Sequence, residues 1–201
     1  AVTYTLSLGE LSVSGTTTIN GGGTIDGAGL SRIFSMSGSV GETITLDGLT
    51  LTNGLTSAVV EVSEEPESRN GGDHSNGGAI KINAGATVVL NNMTLSNNTA
   101  TGAAAGEGGG AIFNAGTLTI TGGIISDNNV SGAAGNGGGV LNSTGATLTV
   151  TGATISGNSA NRAGGGIENN GGTVTLTDTT LSGNTIGTAP GNGGGMHQGG
   201  A

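Results

Sequence analysis

A fixed order of three short motifs recurs from Gly77 onward at intervals of close to thirty residues. A chain written in that way has few folds open to it, because periods of 20–50 residues mark stacked repeat architectures. The first motif is a glycine pair leading an aliphatic strand: Gly77-Gly78-Ala79-Ile80, Gly109-Gly110-Ala111-Ile112, Gly138-Gly139-Val140-Leu141, Gly165-Gly166-Ile167-Glu168 and Gly194-Gly195-Met196-His197. The second alternates threonine with an aliphatic residue, as in Thr117-Leu118-Thr119-Ile120-Thr121, Thr147-Leu148-Thr149-Val150-Thr151 and Thr173-Val174-Thr175-Leu176-Thr177. The third is a short strand ending in asparagine. Its terminal residues Asn98, Asn128, Asn158 and Asn184 lie 30, 30 and 26 positions apart, with the slack in the loop that follows.

Strict alternation is strand patterning, since side chains on a strand point to opposite faces in turn. Leu118 and Ile120, Leu148 and Val150, and Val174 and Leu176 are therefore expected to face inward while their threonines face out. The composition, with 45 glycines and 8% charged residues, otherwise invites a reading as a flexible low-complexity chain. The ordered placement of Val, Ile and Leu argues against that. One coil offers too little apolar surface to fold alone, so each is expected to be ordered by its neighbours, with parallel pairing from coil to coil.

Glycine serves the corners, and asparagine at the third corner is expected to take the left-handed backbone region and to hydrogen-bond its stacked equivalent. Asn98, Asn128, Asn158 and Asn184 are thus read as a structural ladder. The register extends back through Thr43 to Gly54, and residues 1–42 read as shorter, degenerate coils ahead of regular repeats over 43–201, with an acidic insertion at about 55–76. The fold class expected is all-β: a right-handed, single-stranded parallel β-helix (solenoid) of about six to seven coils in one continuous domain.

The pairing of Gly-Gly-Ala-Ile with a downstream aliphatic-x-x-Asn resembles the repeats of the polymorphic outer membrane proteins, which pair Gly-Gly-Ala-(Ile, Leu, Val) with Phe-x-x-Asn. Leu95, Ile125, Ile155 and Leu181 stand at the phenylalanine position. The wider likeness is to bacterial right-handed parallel β-helix repeat proteins. It covers most of residues 43–199 and implies an autotransporter-passenger-like protein, secreted or displayed on the outer cell surface and often adhesive.

Four Lys plus Arg against thirteen Asp plus Glu give a formal charge of -9, which repels phosphate backbones and anionic lipid surfaces. Nucleic acid is not an expected partner, and no apolar run is long enough for this stretch to enter a membrane directly. With no cysteine, neither disulfides nor thiolate metal sites contribute. Carboxylates concentrate between Glu61 and Asp73, where Glu64, Glu65, Glu67 and Asp73 are candidate oxygen ligands for Ca²⁺. The plainer reading of that loop is a solvated insertion, and no cofactor is expected.

Parallel β-helices also host polysaccharide lyases and hydrolases, which need paired carboxylates or a basic residue beside a cation site. The bases are Arg32, Arg69, Lys81 and Arg162; Asp127, Glu168 and Asp178 occur singly, and His74 and His197 fall in no metal or triad spacing. The expectation is therefore no enzyme and no catalytic residue, with His197 simply exposed. The outward threonines Thr117, Thr119, Thr121, Thr147, Thr149, Thr151, Thr173, Thr175 and Thr177 should form a flat grid for ligand or ice contact, interrupted by Val89, Asp47 and Asn91. Threonine is favoured on any exposed strand surface, which is the plainer account of it. Open strand edges at the two ends suggest end-to-end stacking of copies into a filament. The reading is an extracellular structural or adhesive scaffold with a host, matrix or polysaccharide ligand; ice binding and polysaccharide binding or degradation are the alternatives.

Overall fold

The computed structural model describes residues 2–56, 75–187 and 192–199. Every element among them is a strand, every strand pairing is parallel, and the chain winds as a β-solenoid of about six turns. Three long sheets run the length of the column, and a short fourth ladder joins in the later turns. The glycine-led sheet stacks seven strands, among them Leu11–Ser14, Phe34–Ser37, Ile80–Ile82, Ile112–Asn114, Val140–Asn142, Ile167–Asn170 and Met196–Gly199. The threonine sheet stacks six, from Thr17–Asn20 to Thr173–Thr177, and the asparagine-ended sheet stacks seven, from Thr3–Thr5 to Thr180–Ser182. The degenerate N-terminal coils belong to the same column: Val13 lies beside Met36, which lies beside Ile82.

Alternation sets the core. Leu118 pairs with Val88 on one side and Leu148 on the other, and Ile120 with Leu90 and Val150, all buried. Val174 and Leu176 continue these two columns on the edge strand of the sheet and stay partly exposed, because among the described residues no strand pairs on their other side. The same stacking runs through Leu51, Leu95, Ile125 and Ile155 on the asparagine-ended sheet. Burying one such side chain stabilises by roughly 1.5–3 kcal/mol, and each does so only because an equivalent residue sits above and below it.

The glycine pairs have two distinct jobs. The first, as at Gly77 and Gly109 (φ 66° and 69°), takes a left-handed turn that a side chain disfavours, a place held in the later turns by the glycine ahead of the pair, Gly137, Gly164 or Gly193. The second lies against the next winding: a Cβ on Gly110 would fall 2.1 Å from the Gly138 carbonyl oxygen. The chain differs in length at two corners. The glycine-led and threonine strands are joined through residues 83–86, 115–116, 143–146 and 171–172, and the larger differences fall at the corner ahead of the glycines. Between the short fourth ladder and the glycine pairs it runs through residues 101–107, 131–135 and 161–162 in successive turns, while the strands keep their register.

Leu148→Ala is expected to lower unfolding free energy by about 2–5 kcal/mol through the cavity it leaves, whereas outward Thr149→Ala should change it by less than about 0.5 kcal/mol. Urea denaturation followed by circular dichroism measures both. Equal losses would mean that the two faces are not inside and outside.

Candidate functional site

Two buried amide ladders run through the column. In the first, Asn128 Oδ1 accepts from both the backbone N–H and Nδ2 of Asn98, each at 2.9 Å. Asn128 Nδ2 donates to Leu95 O at 3.0 Å and to Asn158 Oδ1 at 2.9 Å. Asn158 repeats the pattern toward Asn184 Oδ1, at 3.0 Å from its backbone N–H and 2.9 Å from its Nδ2, and donates to Ile125 O at 2.9 Å. Asn184 Nδ2 closes the series on Ile155 O at 2.8 Å. Asn98, Asn128 and Asn158 are fully buried, so these amides have no water to turn to and must find their partners in the adjoining windings. The ladder expected from sequence is thus present as hydrogen bonds, with one difference. The left-handed residue is the one before it, at Asn97 (φ 56°), Asp127 (56°), Gly157 (64°) and Gly183 (60°). That preceding turn aims the next residue's amide into the column.

Sequence reasoning missed the second ladder. Asn114 Nδ2 donates to Asn142 Oδ1 at 2.7 Å, Asn142 Nδ2 to Asn169 Oδ1 at 2.8 Å, and Asn169 Nδ2 to Gln198 Oε1 at 2.6 Å. The three asparagines are buried on the glycine-led sheet, in the column that Val13, Met36 and Ile82 occupy earlier in the chain. The available signal was an amide side chain two residues after Ile112, Val140, Ile167 and Met196, at Asn114, Asn142, Asn169 and Gln198.

The threonine grid forms in register. Thr117, Thr147 and Thr173 make one row, Thr119, Thr149 and Thr175 a second, and Thr121, Thr151 and Thr177 a third. Thr119, Thr147 and Thr149 are half-buried by their neighbours and the other six are exposed. Rows lie about 6.6 Å apart along the strands and about 4.8 Å apart across them. Below the grid the rows pass to Thr87, Val89 and Asn91, and Asp47 lies beside Asn91. Its hydroxyls sit on one flat side of the column.

Charged side chains pair between windings. His197, expected to be simply exposed, has 26% of its side chain accessible, and its Nδ1 lies 2.8 Å from Oε2 of Glu168, which is only 2% accessible. Burial pushes the Glu168 carboxyl above the ordinary value of 4.5, opposed by the hydrogen bond with His197 and by the charges of His197 and Arg162. Near the other end, buried Arg32 donates from Nε to the carbonyls of Asn76 (3.0 Å) and Gly77 (3.1 Å) and from Nη1 to Glu10 Oε2 (2.8 Å), tying three windings together. Glu64, Glu65, Glu67 and Asp73, the calcium candidates, together with Arg69 and His74, lie outside the described residues. Among the described residues no group of three or more His, Cys, Asp or Glu is placed to hold a metal ion, and no helix is long and apolar enough to cross a membrane.

No family model, curated protein or solved structure matches the chain. The class it belongs to therefore rests on its own geometry, which is that of a parallel β-solenoid repeat protein with amide-laddered windings.

Asn128→Ala removes four side-chain hydrogen bonds and strands buried groups on both sides. It should cost about 3–5 kcal/mol in denaturant titrations, with a smaller loss for half-buried Asn184→Ala. For Glu168 the folded carboxyl is the harder one to ionise. Its contribution is therefore complete below pH 4.5 and is lost as pH rises through the raised folded value. Thermal melts between acid and neutral pH should show that decline, and Glu168→Gln should flatten it.

Proposed function

We propose that this chain is an extracellular or outer-surface scaffold of adhesive type, whose rigid column presents a flat threonine side and length-variable corner loops to a matrix or polysaccharide ligand. The observation that carries the reading is the pair of buried ladders. Every amide along them is met by another winding, a way of holding a surface fixed that asks nothing of the outward residues. Those are then free to vary for contact, and the corner at residues 101–107, 131–135 and 161–162 does vary. Likeness to the repeats of surface-displayed autotransporter passengers points the same way. Interactions of that kind depend on a preorganised surface, because binding then costs little ordering entropy.

A second reading has its own support. Nine threonines held in register at strand spacing make the kind of regular hydroxyl-and-methyl lattice that suits an ordered water layer, and so ice. Thermal hysteresis that Thr149→Tyr abolishes is its expected signature; a solution that freezes like buffer removes it.

The adhesive reading is checked by passing purified protein over immobilised matrix proteins and polysaccharides, with its oligomeric state followed by light scattering. Saturable retention of monomer on at least one surface, with the polysaccharide left intact, is the expected result. Release of reducing ends or unsaturated sugars would make it an enzyme, and retention on none would end the adhesive proposal. Elongation into filaments visible by negative stain would point instead to a fibre built from stacked copies.

A further inference from the structure

The strand Met196–Gly199 closes over a buried carboxyl. Among the described residues it stands at the end of the glycine-led sheet and pairs with Ile167–Asn170 alone. Beneath it, Glu168 continues the outward column of Phe113 and Leu141, which are 8% and 0% exposed. A group that can carry charge thus takes a place that the two preceding windings give to apolar side chains, and it is only 2% exposed there.

Two features bury it. A Cβ on Gly164 would fall 2.6 Å from the Glu168 Cα, so the turn ahead of its own strand folds back over it. The edge strand does the rest. A Cβ on Gly199 would fall 3.1 Å from Glu168 Oε1, and His197 Nδ1 lies 2.8 Å from Oε2 and 3.1 Å from Oε1. Gln198, next along, takes the end of the second amide ladder from Asn169 at 2.6 Å. The charges acting on the carboxyl are those of His197, on the covering strand, and Arg162, in the corner ahead of its own strand. Leu141, on the other side, brings none. Arg162 is exposed and a guanidinium keeps its proton, so among the described residues the imidazole is the one partner whose charge changes.

Docking the edge strand therefore takes a carboxyl out of water at a cost set by the protons the pair holds. A neutral carboxyl has no charge to bury. A carboxylate that faces an imidazolium is offset by it. When both protons have gone, a buried carboxylate remains beside an uncharged ring. We infer that Glu168 and His197 form a proton-operated latch, which holds Met196–Gly199 against Ile167–Asn170 while the pair keeps a proton and loosens the strand once the last has left. The docked form is the more protonated one, so the hold is complete below the ordinary carboxyl value of 4.5 and falls as pH rises, the direction in which burial moves Glu168. Release uncovers the backbone groups of Ile167–Asn170 and the Asn169 amide, an edge able to pair with another strand. The latch works whatever ligand the outer faces hold.

Backbone amide exchange across Met196–Gly199, corrected for the intrinsic rate at each pH, reads the latch between about pH 4 and pH 8. Protection should be highest at the acid end and at least about tenfold lower at the other, falling more steeply than at Leu118 and Val150. The ¹³C shifts of the His197 ring and Glu168 carboxyl should place the greater part of the loss at the second titration step of the pair. Glu168→Gln, with no charge to bury, should keep the strand protected throughout. His197→Gln should loosen it at a lower pH than in the unaltered protein, because the ionised carboxylate then lacks its cation. A contact that merely props the strand would loosen in both variants. Protection that is flat with pH, or a Glu168→Gln strand that loosens or keeps its pH response, would overturn the proposal. Should Glu168→Gln fail to fold, His197→Gln alone decides, and an unshifted pH response there would overturn it.

Discussion

Every winding of this protein is held in place by the one before and the one after, and the contact that makes their alignment unique is the stacked asparagine amide. The aliphatic columns supply most of the driving force, since they bury apolar surface at about 25 cal/mol per Å². They say little about register: exchanging Leu for Ile or Val against a neighbouring Leu costs less than about 1.5 kcal/mol. A buried amide is less tolerant. If one coil slips, Asn98, Asn128 and Asn158 lose partners they cannot replace with water, at about 1–3 kcal/mol for each group left unmet. Drive and specificity are thus divided between two kinds of side chain on the same inward face.

That division leaves the outer surface largely unconstrained. Glycine pairs such as Gly109 and Gly110 bring the chain around the corner and close against the next winding, while the corner just before them absorbs insertions. The threonine side is flat because its strands are long and in register, and the glycine-led side is uneven because its outward column changes from serine to apolar to charged residues. A scaffold of this kind offers a lattice on one side and an uneven surface on another without altering what holds it up.

Much of this was legible in the sequence. The motif order gave parallel windings, alternation gave the inward columns through Leu118, Leu148 and Ile120, Val150, and the terminal asparagines gave one ladder, all because stacking turns a linear period into vertical neighbours. What escaped was whatever depends on knowing which residue lies one winding away. Glu10 and Arg32 are 22 positions apart in the degenerate coils and look isolated until register is known. Glu168 and His197, 29 apart, hold the same place in successive glycine-led motifs, and their contact could have been drawn from that alignment. Asn114, Asn142 and Asn169 lie at or near the ends of strands of three or four residues, too short for alternation to show which side chains face inward. The left-handed conformation was assigned one residue late, because asparagine is the usual suspect for it, yet Asp127 and Gly157 hold that position in their turns.

Hydrogen exchange at the asparagine side chains tests the central claim most directly. If the ladder locks the windings, the Nδ2 protons of Asn98, Asn128 and Asn158 should exchange at the slow rate of global unfolding, together with their backbone amides. Exposed Asn92 should exchange within the first measured point. Ladder protons that exchange as fast as those of Asn92, in protein whose backbone amides are otherwise protected, would contradict the account.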